Sequence, residues 1–153
     1  MGHMSANFTL QEMTRSQTAL RRGIDNTPSE AHIASMKALC DNVLERVRDN
    51  FKRPVTVSSG FRSVQLCKAI GSSAKSQHAK GEAADFEVIG CDNLAVAEWI
   101  RDNLEFDQLI LEFYDETDPS SGWVHCSYRA DGENRKQCLS YDGERYAKGL
   151  GKA

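Results

Sequence analysis

The chain has 153 residues, 40% of them hydrophobic and 27% charged, with a formal net charge of −3. That size suits one domain with its own core, and the composition is that of an ordinary soluble globular protein. A slightly acidic chain without a basic block argues against nucleic acid as partner, and its longest apolar run is far too short for a membrane span. Met1-Gly2-His3-Met4 reads as a cloning remnant, which leaves 5–153 as a single domain with no linker and no internal repeat. No apolar segment follows a basic N-terminus, so either the chain is intracellular when made or an export signal has been removed. The five cysteines are odd in number, widely spaced and form no CxxC pair. They read as reduced, mostly buried thiols and not as a zinc knuckle or disulfide framework.

In chain order, Phe8 to Arg22 predicts one or two short helical turns. Thr27-Pro28-Ser29-Glu30 then offers a capping hydroxyl, a proline at the first helical position and a glutamate at the third. Apolar residues recur at Ile33, Met36, Cys40, Val43, Leu44 and Val47, which predicts a long amphipathic helix from about Pro28 to Asp49. Pro54 to Ser58 is a short strand rich in β-branched residues, and Ser63 to Ile70 a helix closed by Gly71. A polar loop from Gly71 to Lys80 carries His78. Ala83 to Ile89 alternates, with Ala84, Phe86 and Val88 on one face and Asp85 and Glu87 on the other. A second helix is capped near Asp92 or Asn93 and buries Leu94, Ala97, Ile100 and Leu104. Asp107–Phe113 and Trp123–Tyr128 read as an antiparallel hairpin with a long tip, and a strand around Gln137–Tyr141 adds to the edge. This order predicts an α+β fold, a mainly antiparallel sheet with flanking helices.

His78, Asp85 and His125 supply two imidazoles and one carboxylate, a set that suits zinc with one coordination position open. A metal so held can generate a nucleophile from water near neutral pH, which points to hydrolysis. Asp85 and His125 are placed on strands facing away from the apolar layer, and His78 on the preceding loop. A histidine and an aspartate seven residues apart are equally what surface polar groups look like, so the pair alone decides little.

The order Ser58-Ser59-Gly60-Phe61-Arg62-Ser63, then Ser76-x-His78-x-x-Gly81-x-Ala83-x-Asp85, then Trp123-x-His125 resembles the M15 family of zinc D-Ala-D-Ala carboxypeptidases. It is most similar to the branch containing bacteriophage endolysins and prophage peptidases, from about Phe8 to Tyr128. The resemblance implies a hedgehog/D,D-peptidase-like fold and a zinc peptidase with His78, Asp85 and His125 as metal ligands. It implies Arg62 for the substrate carboxylate or the transition-state oxyanion, and Ser76 for substrate polar groups. The bland readings are an Arg62 that ties the Gly60 turn and a Ser76 that caps the loop before His78. Many relatives carry an acid three residues before the last histidine, where this chain has Gly122. Glu112 is the replacement base if Leu111–Phe113 pairs with Val124–Cys126; otherwise it accepts a hydrogen bond from a ligating histidine.

The expected function is therefore peptidoglycan stem-peptide hydrolysis, as a D,D-carboxypeptidase or an L-alanoyl-D-glutamate endopeptidase. By resemblance the chain is a monomeric phage or prophage lytic enzyme, made in the host cytoplasm and acting on the wall after release. No wall-binding module is recognisable, so affinity has to come from the groove itself. A zinc-binding module that has lost catalysis is the competing expectation, and a metal-independent cysteine hydrolase a third.

Overall fold

A computed structural model of the protein describes residues 2–150. Of the four-residue N-terminal remnant, Met1 lies outside the described residues, as do residues 151–153 of the expected domain. Met4, by contrast, is buried in the core, and the Leu10 N–H donates to the Gly2 carbonyl.

Helices α1 (Leu10–Thr14) and α2 (Gln17–Arg22) each begin with a hydroxyl cap: Thr9 accepts from the Glu12 N–H, and Ser16 from the Ala19 N–H. The long predicted helix is present as α3 (Glu30–Leu39), a π-helical turn (Cys40–Leu44) and α4 (Glu45–Phe51). Its cap is Ser29 and not Thr27. The Ser29 hydroxyl accepts from the His32 N–H, and the His32 ring accepts the Ser29 N–H in return. A histidine thus takes the part usually played by Glu or Gln in a capping box. Pro28 stands one residue outside the helix, where its missing N–H costs no helical bond.

Six strands form one sheet: β1 (Val55–Ser59), β2 (Ala83–Val88), β3 (Gln108–Glu112), β4 (Trp123–Ser127), β5 (Gln137–Tyr141) and β6 (Tyr146–Lys148). Their order is β1-β2-β4-β3-β5-β6. Every neighbouring pair is antiparallel except β3–β5, which is parallel. The sequence placed β5 at the edge; β6 takes the edge beyond it. Between the strands lie α5 (Val64–Ala69), a 3-10 turn (Gln77–Lys80) and α6 (Asn93–Asn103), whose cap is Asp92.

Side-chain alternation divides the sheet. Ala84, Phe86, Val88, Leu109, Leu111, Val124 and Cys126 join Met36, Leu39, Val43 and Leu44 of the long helix and Val96, Ala97 and Ile100 of α6 in one core. Burial of such side chains contributes about 1.5–3 kcal/mol each, so the register that keeps this face inward is strongly fixed. The residues between them necessarily point out of the opposite face. That face is where Asp85, Ile110, Glu112, Trp123 and His125 stand. All five cysteines are free thiols; Cys40, Cys67 and Cys126 are buried and Cys91 and Cys138 half-buried, as read from their spacing.

Candidate metal centre

Asp85 and His125 are direct cross-strand partners in the β2–β4 ladder. His78 reaches them from the 3-10 turn that leads into β2. The turn is closed by Ser76, whose hydroxyl accepts the His78 N–H at 3.1 Å, and by Gly81 in the left-handed region with φ 76°. The three residues are 2%, 8% and 9% exposed for His78, Asp85 and His125, deep for polar groups, and each therefore needs a partner.

Their hydrogen bonds fix which atoms face one another. The His78 Nδ1 lies 2.7 Å from the Gly60 carbonyl, which can only accept, so Nδ1 carries the proton and Nε2 presents its lone pair. That Nε2 is 3.4 Å from Asp85 Oδ1, and the same oxygen is 2.9 Å from His125 Nδ1. Burial pushes the His78 pKa down, against the opposing pull of Asp85, so its ring is neutral at pH 7. Burial alone would raise the Asp85 carboxyl, but its hydrogen bond with His125, the largest opposing influence, outweighs it and holds the group well below the usual carboxylate range.

One ligand atom from each residue lies within 4.8 Å of the other two. A tetrahedral ion with bonds of ~2.0–2.1 Å has ligand atoms roughly 3.3 Å apart, close to the observed 2.9 and 3.4 Å. Two neutral-capable imidazoles, one ionised carboxylate and a hydrogen-bonded carbonyl behind one ring fit a divalent metal of the zinc type.

Glu112 is on the same face, as expected, but its register differs. It pairs with Trp123, and Ile110 is the residue opposite His125. Pairing also stops one residue earlier than the alternation suggests, because Phe113 has φ 57° and leaves the strand. Glu112 therefore meets His125 diagonally, Oε2 to Nδ1 at 3.8 Å. Burial first, and the Asp85 charge second, raise its pKa above the ordinary glutamate value. Gly122 explains why no acid occupies the more usual place. Its φ is +67°, and a Cβ there would sit 2.0 Å from the Glu112 carbonyl oxygen. The Glu112 strand end and a side chain at 122 exclude each other.

Arg62 lines the same cleft. Its Nη1 donates to Ser59 Oγ at 3.3 Å, while its Nε is buried and has no hydrogen-bond partner among the described residues. The loop that carries it is held by contacts the sequence did not reveal. Asn26 donates to the Thr14 and Phe61 carbonyls and accepts the Ser63 N–H at 2.7 Å. The backbone N–H groups of Phe61 and Arg62 donate to the Met13 and His78 carbonyls. Gly60 allows this approach, since a Cβ would lie 2.4 Å from Met13 O. A second unforeseen group is Asp107, 1% exposed, which accepts from Gln77 beside His78 and from the Arg135 guanidinium through both oxygens. No local pattern announces either residue, because their partners lie between twelve and thirty-seven positions away.

An open polar cleft of about 900 Å³ contains all the residues singled out for chemistry: His78, Asp85, His125, Glu112, Arg62 and Ser76. An α+β sheet presenting a His–Asp–His set with a glutamate beside it, at the floor of such a cleft, is the arrangement of a metal-dependent hydrolase. The chain matches the profile of the peptidase M15 family over residues 6–127, most of its length, and it belongs to that family. It is thereby a metallopeptidase in general type. A comparison with curated proteins returns no match. No helix is long and apolar enough to cross a membrane among the described residues.

Proposed function

We propose that the protein is a zinc-dependent peptidase of bacterial cell wall, hydrolysing an amide bond of the peptidoglycan stem peptide. The observation that carries this reading is the convergence of His78 Nε2, Asp85 Oδ1 and His125 Nδ1, with the Glu112 carboxylate 3.8 Å from His125, in an open cleft. His78, Asp85 and His125 would hold the metal. Bound zinc would supply a Lewis acid for the scissile carbonyl and an acidified water near neutral pH.

The remaining chemistry belongs to side chains. Glu112 accepts a proton from the attacking water as its oxygen bonds to the carbonyl carbon, and then delivers it to the leaving amine as the C–N bond breaks. The raised pKa of Glu112 suits a group that must both take and return a proton. Arg62 directs its guanidinium to the developing oxyanion or to a substrate carboxylate, the acceptor that its unpartnered Nε calls for. Ser76 spends one lone pair on the His78 N–H and keeps its hydroxyl proton for substrate. Arg62, Lys75 and Lys80 line the cleft and none forms an ion pair among the described residues, which suits a stem peptide rich in carboxylates. The reading extends to a monomeric phage or prophage lytic enzyme, acting as D,D-carboxypeptidase or L-alanoyl-D-glutamate endopeptidase.

The test is digestion of purified wall, with new amines and carboxylates located by mass spectrometry of the fragments. Cleavage should stop on chelation, return with zinc, and be absent from His125→Ala. Cleavage indifferent to chelation, or zinc binding with no cleavage of wall or stem peptides, would overturn the proposal.

A further inference from the structure

Glu112 stands in a row of side chains whose other members have no part in the chemistry above. Across the sheet, Trp123 of β4, Glu112 of β3, Tyr141 of β5 and Tyr146 of β6 are successive partners in register, so they form one transverse row on the site face. Three members of the row are aromatic. Tyr141 and Tyr146 stack with ring centres 4.3 Å apart at 26°. Phe113 joins them: its left-handed backbone turns the ring back against Trp123 at 5.1 Å and Tyr141 at 5.6 Å. Gly143 leaves the room, since a Cβ there would lie 2.8 Å from the Phe113 ring. A non-glycine residue held at positive φ to complete an aromatic cluster is a conformation that local preference disfavours.

The cluster is not a closed core. Tyr146 is 60% exposed and Phe113 44%. The two ends of the row, Trp123 and Tyr146, both line the metal-site cleft, so the aromatic surface is continuous with it. Both tyrosines come from strands beyond residue 127, where the family match ends.

We propose that this row is a sugar-stacking platform, which holds a pyranose ring of the glycan strand next to the stem peptide being cut. The inference rests on the peptidoglycan reading and extends it to the substrate's second component. A pyranose has an apolar C–H face and a polar rim. Its best partner is an exposed aromatic ring with polar groups at its edge, as Tyr146 offers with its own hydroxyl and the neighbouring Glu112. In peptidoglycan the first stem residue is joined to a muramic acid lactyl group, so a peptide lying in the cleft near its N-terminal end carries a sugar with it. Trp123 is two residues from His125 on β4 and Tyr146 lines the same cleft, which places that sugar on the side of the cleft next to the scissile bond. The platform therefore favours cleavage near the glycan, the endopeptidase choice, over removal of a distant terminal residue.

The test has two arms. In the first, the peptide-free N-acetylglucosaminyl-N-acetylmuramic acid disaccharide is titrated into the protein, with the Trp123 indole N–H followed by NMR and assigned through Trp99→Phe. Saturable movement of that signal is expected, weakened about tenfold in Tyr146→Ala and largely kept in Tyr146→Phe. In the second, kcat/KM is measured for a stem peptide with and without its disaccharide. The glycopeptide should be preferred, and Tyr146→Ala should shrink that preference about tenfold, through KM. Hydrolysis of both substrates at equal efficiency with no movement of Trp123 overturns the platform and leaves the peptidase standing. Movement of Trp123 without hydrolysis of either substrate overturns the peptidase and leaves the platform. Self-association through this face, abolished by Tyr146→Ala and unaffected by the disaccharide, also overturns the platform.

Discussion

Gly122→Ala perturbs the site without touching a side chain that does chemistry. A single methyl group added at φ +67° would stand 2.0 Å from the Glu112 carbonyl oxygen and 2.7 Å from the Phe113 carbonyl carbon, whereas real Cβ atoms keep at least 3.0 Å. The obstacles are backbone atoms of the paired strand, so relief needs the end of β3 to retreat by roughly an ångström. The left-handed conformation costs ~1–2 kcal/mol for a residue with a Cβ, and the displaced strand end adds to it, for about 2–4 kcal/mol in all. For a domain of this length that is a fall in Tm of about 5–15 °C, measured by thermal unfolding with chelator present so that metal affinity does not enter. A shift of that size at Glu112 should also lower kcat by about a hundredfold. Gly122→Glu carries the same steric load, so supplying the acid at the place used by many relatives should not rescue activity. A Gly122→Ala protein that melts with the parent and keeps its kcat would refute the steric argument. A Gly122→Glu protein more active than the parent would refute Glu112 as the base.

Three further outcomes follow from the geometry. Glu112→Gln keeps the shape but cannot take a proton, so kcat should fall about 10²–10⁴-fold with bound zinc unchanged by elemental analysis; undiminished turnover would exclude the assignment. Asn26→Ala strands the Ser63 N–H and two carbonyls, and should cost about 1–3 kcal/mol in urea unfolding while loosening the loop that carries Arg62. Asp107 is held below the usual carboxylate range chiefly by its hydrogen bonds from Arg135. A depressed folded-state pKa contributes stability above the unfolded value of ~3.9, and that contribution disappears as pH falls through the folded one. Parent and Asp107→Asn should thus differ in urea midpoint at pH 7 and converge well below pH 4; a difference that persists in acid contradicts the linkage.

The convergence of Asp85 and His125 was legible in the sequence because strands are periodic. Once Phe86 and Val124 were assigned to the core, Asp85 and His125 had to face the other way, and the ladder places them side by side. The register of Glu112 was less legible. Alternation gives its face but not which residue of β4 lies opposite, and the left-handed turn at Phe113 is not a preference of phenylalanine. The helix cap was missed by two residues for a related reason: Thr27 and Ser29 both carry hydroxyls, and His32 is an uncommon third-position partner. The parallel placement of β5 depends on a crossover from 128 to 136, whose path no local signal specifies. Asn26 and Asp107 were invisible because their importance lies entirely in distant partners.

The Gly60 carbonyl that orients His78 belongs to a segment whose own position is set by Met13 and Asn26. The ligand geometry is therefore wired to the first thirty residues of the chain, although no ligand lies there. Folding order acquires a meaning from this. Apart from the His78–Asp85 pair, residues 13, 26, 60, 78, 85 and 125 come together through contacts of long sequence separation, which are slow to form. The convergence of His78, Asp85 and His125 then depends on completion of the whole fold. A substitution beneath α1 should therefore disturb the orientation of His78 as surely as one beside it.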